Sequence, residues 1–89
     1  MPQITLTVRH EAGLHARPAS LFVQTAKQFE CDIRVSRDER EANAKSILNV
    51  LTLGAGQGAA ITVRAEGKDA GEALNALRML VESDFEVER

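Results

Sequence analysis

Short segments in which apolar and polar residues strictly alternate recur along this chain, and they constrain its fold more than any other feature. The apolar members of the clearest segments are Ile4, Leu6 and Val8; Ile33 and Val35; and Ile61, Val63 and Ala65. Successive side chains of a strand point to opposite faces of a sheet, so each segment predicts a strand with one buried and one polar face. Such strands favour an antiparallel or mixed sheet that is covered on one side only.

Two longer segments with helical spacing provide the cover for this sheet. Their apolar positions are Ala19, Phe22, Val23 and Ala26, between Ala16 and about Phe29, and Ala73, Leu74, Leu77, Leu80 and Val81, between Ala70 and about Glu82. Residues 41–44 predict a short strand that pairs with the Ile33 segment across the polar turn 37–40. Residues 45–53 predict one or two helical turns that begin at Ser46. The predicted order is β-α-β-β-α-β-α, a two-layer sandwich with an open face.

The composition is that of an ordinary small globular domain. A net charge of −2 and a pI near 5.6 give no support for nucleic-acid binding through bulk charge. The three phenylalanines fall outside the predicted strands, so the sheet lacks the stacking aromatics of an RNA-binding surface. The lone Cys31 can form no internal disulfide, and the apolar stretches are too short to span a bilayer. With no signal peptide at its start, we expect a cytoplasmic protein of one domain, residues 1–89, without membrane insertion.

The segment Ala12-Gly13-Leu14-His15-Ala16-Arg17-Pro18-Ala19 places a histidine where a loop is predicted to become a helix. Proline lacks a backbone N–H and has a fixed φ, so Pro18 marks the first turn of that helix. Gly13 can adopt backbone angles that other residues avoid, so a bend there would present His15 beside the helix N-terminus. The free N–H groups and the positive end of the helix dipole make this position an anion site.

His15 is therefore a candidate phosphoryl acceptor. A neutral imidazole is a nucleophile, and the phosphorus–nitrogen bond that it forms is labile, as a relay requires. The site must mainly position the acceptor and stabilise charge on the phosphoryl oxygens, for which Arg17 offers a permanently charged donor fork. The alternative is that His15 is a structural histidine and Arg17 a solvated side chain. His10 has no comparable neighbourhood and is interpreted as a surface residue.

Ser46 defines a second candidate site. Serine is a favoured N-cap, and capping alone would explain it, but a phosphate at the same helix end would also be stabilised. A two-turn helix cannot bury all of the apolar residues that follow. Three of them are predicted to form an exposed docking patch and two to face the core. The patch is Ile47, Leu48 and Leu51, and the core-facing residues are Val50 and Leu53.

Other chemistry finds little support in the sequence. Gly54, Gly56 and Gly58 lack the lysine and hydroxyl of a P-loop, so they predict a flexible connection. One cysteine and two histidines have no metal-ligand spacing, and we expect neither a metal nor a cofactor. No arrangement of nucleophile, base and acid can be argued from spacing, so we expect a carrier and not an enzyme.

The chain resembles HPr, the histidine-containing phosphocarrier family of the bacterial phosphoenolpyruvate-dependent sugar phosphotransferase system. Residues 13–19, Gly-Leu-His-Ala-Arg-Pro-Ala, match its phosphohistidine motif, and residues 45–51, Lys-Ser-Ile-Leu-Asn-Val-Leu, match its serine site. The resemblance implies an α+β open-faced β-sandwich, in which three helices cover one face of a four-stranded antiparallel sheet. It implies that His15 accepts a phosphoryl group on Nδ1 from enzyme I and passes it to an enzyme IIA, with Arg17 assisting. It also implies that an HPr kinase/phosphorylase can phosphorylate Ser46.

Two other functions compete with sugar uptake. The first is a regulatory relative in nitrogen or catabolite signalling, whose phosphorylation state would select its partners, a catabolite regulator among them. The sequence context of Ser46 is compatible with this role. A small hydrolase or RNA-binding module of similar topology is disfavoured, because the loop after the first strand offers no phosphate-cradling arginine and the strands carry no aromatics. For a carrier that meets several partners in turn we expect a monomer.

Overall fold

The computed structural model describes residues 2–85; Met1 and residues 86–89 of the predicted domain lie outside the described residues. The elements are β1 (Gln3–Thr7), α1 (Ala16–Ala26), β2 (Asp32–Arg37), β3 (Arg40–Asn43), α2 (Ile47–Leu51), β4 (Ala60–Glu66) and α3 (Ala70–Glu82). The strands form one antiparallel sheet in the order β1-β4-β2-β3. The predicted open-faced sandwich is confirmed. Among the helices of residues 2–85, none is long and apolar enough to cross a membrane.

Alternation along the strands determines which face of the sheet the helices cover. In β4 Ile61, Val63 and Ala65 are buried, while Thr62 and Arg64 between them are partly exposed. The apolar positions predicted for α1 and α3 are all buried against this face. Full burial of a side chain such as Phe22 or Leu77 stabilises the fold by roughly 1.5–3 kcal/mol. The hydrophobic spacing therefore determines the two-layer architecture.

Three predicted boundaries are wrong by one to three residues. The first helix ends at Ala26 and not near Phe29. The third strand is Arg40–Asn43, one residue before the predicted 41–44. Val8 lies just beyond β1, yet it is fully buried. Its N–H donates to the Ala59 carbonyl at 2.9 Å, and its carbonyl accepts the Gly58 N–H at 2.7 Å, in the loop before β4. The pairing thus continues past the strand and carries the chain toward residues 10–15.

Asp69, the N-cap of α3, ties that helix to the start of β2. Its carboxylate accepts the backbone N–H groups of Glu30 and Cys31, each at 2.9 Å. The Glu30 N–H, assisted by the Cys31 thiol and N–H, holds the pKa of Asp69 below its ordinary value of 3.8. Burial, with the Asp69 carboxylate nearby, raises the pKa of the Cys31 thiol. These bonds join segments that are distant in sequence.

Candidate functional site

His15 is the N-cap residue of α1, where the sequence predicts it. Its backbone is extended (φ −133°, ψ 166°), and its side chain does not cap the helix. The ring is half-buried, and among residues 2–85 it has no hydrogen-bond or ion-pair partner. The imidazole therefore keeps both nitrogens available for an incoming group, and its position depends on the backbone that carries it.

The first turn of α1 leaves donors free beside His15. The N–H groups of Ala16 and Arg17 have no acceptor among residues 2–85, and Pro18, the third helical residue, has no N–H. The first helical bond, from the Ala19 N–H to the His15 carbonyl, is long at 3.4 Å. Unpaired N–H groups at the positive end of a helix dipole favour an anion. The backbone geometry therefore leaves free the donors that the predicted anion site would use.

Ala16 is strained. Its φ of +49° lies in the left-handed region, which costs a residue with a side chain about 1–2 kcal/mol. Backbone strain of this kind tends to occur at functional sites, where surrounding contacts enforce it. Nothing in the sequence motif signals this strain, because alanine is an ordinary residue for a first helical turn.

Arg17 is exposed on the first turn and has no ion pair with any of residues 2–85. The surroundings explain this freedom, since no Asp or Glu occurs from residue 12 to residue 29 or from 42 to 65. A cation in a first turn is slightly unfavourable against the helix dipole. The guanidinium is therefore available to an external anion or to an acidic partner.

Contacts with the loop that follows α2 seat the His15 segment. The Leu14 N–H donates to the Ala55 carbonyl at 2.7 Å, and both side chains are fully buried. Gly13 has φ +69°, and a Cβ there would meet the Ala55 oxygen and the Gly56 Cα at 2.7 Å each. Residues 54–58 connect α2 to β4, as predicted, and this loop also supports the His15 segment.

His10 lies at the surface, as predicted, but its side chain makes contacts that the sequence does not indicate. His10 is half-buried, and its Nδ1 accepts the Ala12 N–H at 3.1 Å. Its carbonyl accepts the Gly13 N–H at 2.8 Å, and its ring meets Phe85 edge-on at 6.0 Å. Sequence reasoning missed this residue because its ring partner lies at the opposite end of the chain.

Ser46 is the N-cap of α2, as predicted. Its Oγ accepts the Asn49 N–H at 3.4 Å, and its carbonyl accepts the Val50 N–H at 3.0 Å. α2 contacts α1, so Ser46 and His15 each begin one of two helices that pack together. The side chain of Lys45, the residue before Ser46, donates a hydrogen bond from Nζ to the Phe29 carbonyl at 2.6 Å.

The apolar patch on α2 is smaller than predicted. Leu48 is 73% exposed and Ile47 39% exposed, whereas Leu51 is only partly exposed and packs against the core. Val50 and Leu53 are fully buried, as predicted. Leu51 directly follows the buried Val50, about 100° further around the helix, and so lies at the edge of the exposed face. The exposed patch therefore consists of Ile47 and Leu48.

The fold and this site together define a class: small open-faced sandwiches that present an unpartnered histidine at a helix N-terminus. A family model for the phosphorylation site of the phosphotransferase-system HPr component matches residues 2–83. The chain belongs to the HPr family, the phosphocarrier proteins of the phosphotransferase system.

Solved structures agree with this assignment. HPr of Thermoanaerobacter tengcongensis is 46% identical, with 100% of both chains covered and a TM-score of 0.95. A phosphocarrier protein HPr of Bacillus anthracis is also 46% identical, over 90% of this chain and 95% of its own, with a TM-score of 0.86. Crh, the catabolite-repression protein of Bacillus subtilis, is 40% identical over 94% and 97%, with a TM-score of 0.74, and forms a dimer with a swapped domain.

Proposed function

We propose that His15 carries the phosphoryl group, accepting it from enzyme I, which takes it from phosphoenolpyruvate, and passing it to an enzyme IIA in sugar uptake. The observation that carries this proposal is the half-buried, unpartnered ring of His15 at the N-terminus of α1 in a chain of the HPr family. By the family resemblance the acceptor atom is Nδ1. The protein is then a reactant that is regenerated in each cycle and not an enzyme.

The step exchanges one bond to phosphorus for another. The Nδ1 lone pair of the neutral ring forms the new phosphorus–nitrogen bond as the bond from phosphorus to the donor breaks, and the donor keeps that electron pair. The Nε2 proton stays in place. The free N–H groups of Ala16 and Arg17 and the Arg17 guanidinium stabilise the oxygens of the transferring group. Transfer to enzyme IIA reverses these events on a new acceptor.

Enzyme I and phosphoenolpyruvate provide the direct test. We expect an acid-labile label on the wild-type chain and none on His15→Ala, because a phosphorus–nitrogen bond hydrolyses in acid and the variant lacks the acceptor ring. Circular dichroism should give both proteins the same folded spectrum. Label on the His15→Ala variant, or none on the wild-type chain, would contradict the proposal.

Partner docking is proposed at the surface that surrounds His15. Ile47 and Leu48 are exposed on α2, which packs against α1, and the acid-free residues 12–29 leave Arg17 without an intramolecular carboxylate nearby in sequence. Such a surface suits partners with an apolar and acidic face. We place the relay in the cytoplasm, where phosphoenolpyruvate is made.

A regulatory role at Ser46 is the second candidate, favoured by the similarity to Crh. An HPr kinase/phosphorylase would transfer the γ-phosphoryl group of ATP to Oγ, which loses its proton to a base, and ADP would leave. The product would signal to a catabolite regulator. We expect ATP and the kinase to label the wild-type chain and not Ser46→Ala; an unlabelled wild-type chain would leave Ser46 as a helix cap.

We propose that the carrier acts as a monomer, although related structures include dimers. β1 pairs with β4 of its own chain over residues 3–7, which is the arrangement of a closed single chain. Sedimentation at micromolar concentration is expected to give the mass of one chain of 9.7 kDa. A mass of twice that value would refute the monomer.

A further inference from the structure

His10 occupies a position that the proposed relay does not yet use. The ring of His15 has no partner among residues 2–85, so the backbone of residues 10–14 must determine where it lies. One end of this segment is fixed by the Leu14 N–H on the Ala55 carbonyl. The other end is the turn that begins at His10.

Two hydrogen bonds that His10 accepts close this turn. Its carbonyl accepts the Gly13 N–H at 2.8 Å, and its ring Nδ1 accepts the Ala12 N–H at 3.1 Å. The ring nitrogen thus acts as the side-chain oxygen of Asn or Asp does when it binds the N–H two residues on. The second bond depends on the side chain, so residue 10 can be changed to remove it while the backbone bond remains possible.

The His10 ring is itself held by the far end of the chain. Phe85 is 5% exposed, and its edge-on contact with the ring has an interplanar angle of 83°. Two bonds that end α3 fix Phe85: its N–H donates to the Leu80 carbonyl at 2.9 Å, and the Asp84 N–H donates to Val81 at 3.1 Å. This is the Schellman arrangement, in which the residue after the left-handed position returns to the helix.

We propose that His10 is a positioning residue for phosphoryl transfer at His15, with Phe85 fixing the orientation of its ring. The inference rests on the proposed function of His15. The His10–Ala12 bond restricts the turn from which Gly13, Leu14 and His15 follow, and it thereby aligns the acceptor ring with the N–H groups of α1. Small displacements of a reacting group slow transfer steeply, so loss of this bond should lower the rate at His15.

Three variants separate the positioning role from a role in stability. His10→Leu keeps an apolar contact for Phe85 and removes the acceptor, whereas His10→Asn restores an oxygen that can accept the Ala12 N–H. Phe85→Leu keeps residue 10 intact and removes the aromatic contact. We expect the rate of His15 phosphorylation at saturating carrier to fall about 5- to 30-fold in His10→Leu and to stay within about threefold of wild type in His10→Asn. Phe85→Leu should fall between them.

The kinetic split gives the decisive readout, with enzyme I and phosphoenolpyruvate as the donor system. A smaller folded fraction would raise the apparent KM for the carrier and be overcome at saturation, whereas misalignment lowers kcat at an unchanged KM. An unchanged kcat in both His10→Leu and Phe85→Leu, or an equal loss in His10→Leu and His10→Asn, would overturn the proposal. Phosphoramidate, a small phosphoryl donor that needs no partner, is the control. If neither phosphoramidate nor enzyme I labels the wild-type chain, the proposed function of His15 itself is refuted.

Discussion

Replacing Gly13 by alanine tests how the fold holds the segment that carries His15. Gly13 has φ +69°, and the space that a Cβ would occupy is bounded by the Ala55 oxygen and the Gly56 Cα, both at 2.7 Å. These neighbours are backbone atoms and cannot rotate away. The substitution must therefore either displace the 54–58 loop or move the turn between His10 and Gly13.

The expected loss has two parts. A left-handed alanine costs about 1–2 kcal/mol, and forced overlap in a packed region costs about 1–3 kcal/mol more. Alanine also lowers the entropy of the unfolded chain, which returns about 0.4–1 kcal/mol. The net decrease in the free energy of unfolding is about 1–4.6 kcal/mol, which for a domain of this size lowers Tm by roughly 4–37 °C.

Gly58→Ala is the matched control. Gly58 also has a positive φ, +88°, but nothing lies within 4 Å of the position of its Cβ. Only the conformational cost applies there, so we expect a loss of at most about 1.5 kcal/mol. The chain has no Trp or Tyr, so urea unfolding is best followed by far-ultraviolet circular dichroism. If Gly13→Ala is no less stable than Gly58→Ala, the close approach of the two loops does not hold the His15 segment.

Three further substitutions test the site and the α3 termini. Arg17→Ala is expected to slow phosphorylation of His15 by about 10- to 100-fold in the enzyme I assay, because a charged donor to the phosphoryl oxygens is lost. Asp84→Gly should raise the free energy of unfolding in urea by about 0.5–1 kcal/mol, because Asp84 has φ +60° at the left-handed position after α3. Asp69→Asn should lower stability at pH 7, and its difference from wild type should shrink as the pH falls below 3.8. The folded pKa of Asp69 lies below that value, so its stabilisation is complete above it and is lost on acidification.

Each of these expectations has a contrary outcome. Lys27→Ala removes a charge from the other end of α1, and a loss of rate equal to that of Arg17→Ala would indicate a general charge effect. A destabilised Asp84→Gly would mean that the aspartate side chain outweighs the strain of its backbone. A stability difference between Asp69→Asn and wild type that stays constant down to pH 3 would show that the carboxylate charge is not what holds the Glu30 and Cys31 N–H groups.

The sheet and its two long helices could be predicted because they follow from local periodicity. Strand alternation and helical spacing record which side chains face the core, and those positions are buried as predicted except Ile4, which is partly buried. The end of α1 could not be predicted in this way. Phe29 continues the apolar spacing, but its carbonyl accepts a hydrogen bond from Lys45 Nζ, 16 positions along the chain. The N–H groups of the next two residues, Glu30 and Cys31, donate to the Asp69 carboxylate, 39 and 38 positions away. Long-range bonds thus take the chain out of the helix after Ala26.

The same division applies to the candidate site. Pro18 and Gly13 place His15 at a helix start from sequence alone, because a first-turn proline and a bend are local features. The supports of the segment are not local. In the sequence, Ala55 and Gly56 look like part of an ordinary connecting loop, and the role of His10 depends on its ring contact with the distant Phe85. A motif can therefore identify the acceptor, whereas the groups that align it become visible only in the folded chain.

The lack of a partner for His15 explains why so much of this support falls on the backbone. A hydrogen bond accepted by Nδ1 would have to break before that nitrogen could attack phosphorus, which would add to the barrier. A free ring avoids that cost, but its alignment must then come from residues 10–14 and 16. Three separate restraints act on this short segment: the contact of Gly13 with the 54–58 loop, the hydrogen bond that the His10 ring accepts, and the strained φ of +49° at Ala16. Restraints of this kind allow the fold to position the acceptor ring although no other group among residues 2–85 is hydrogen-bonded to it.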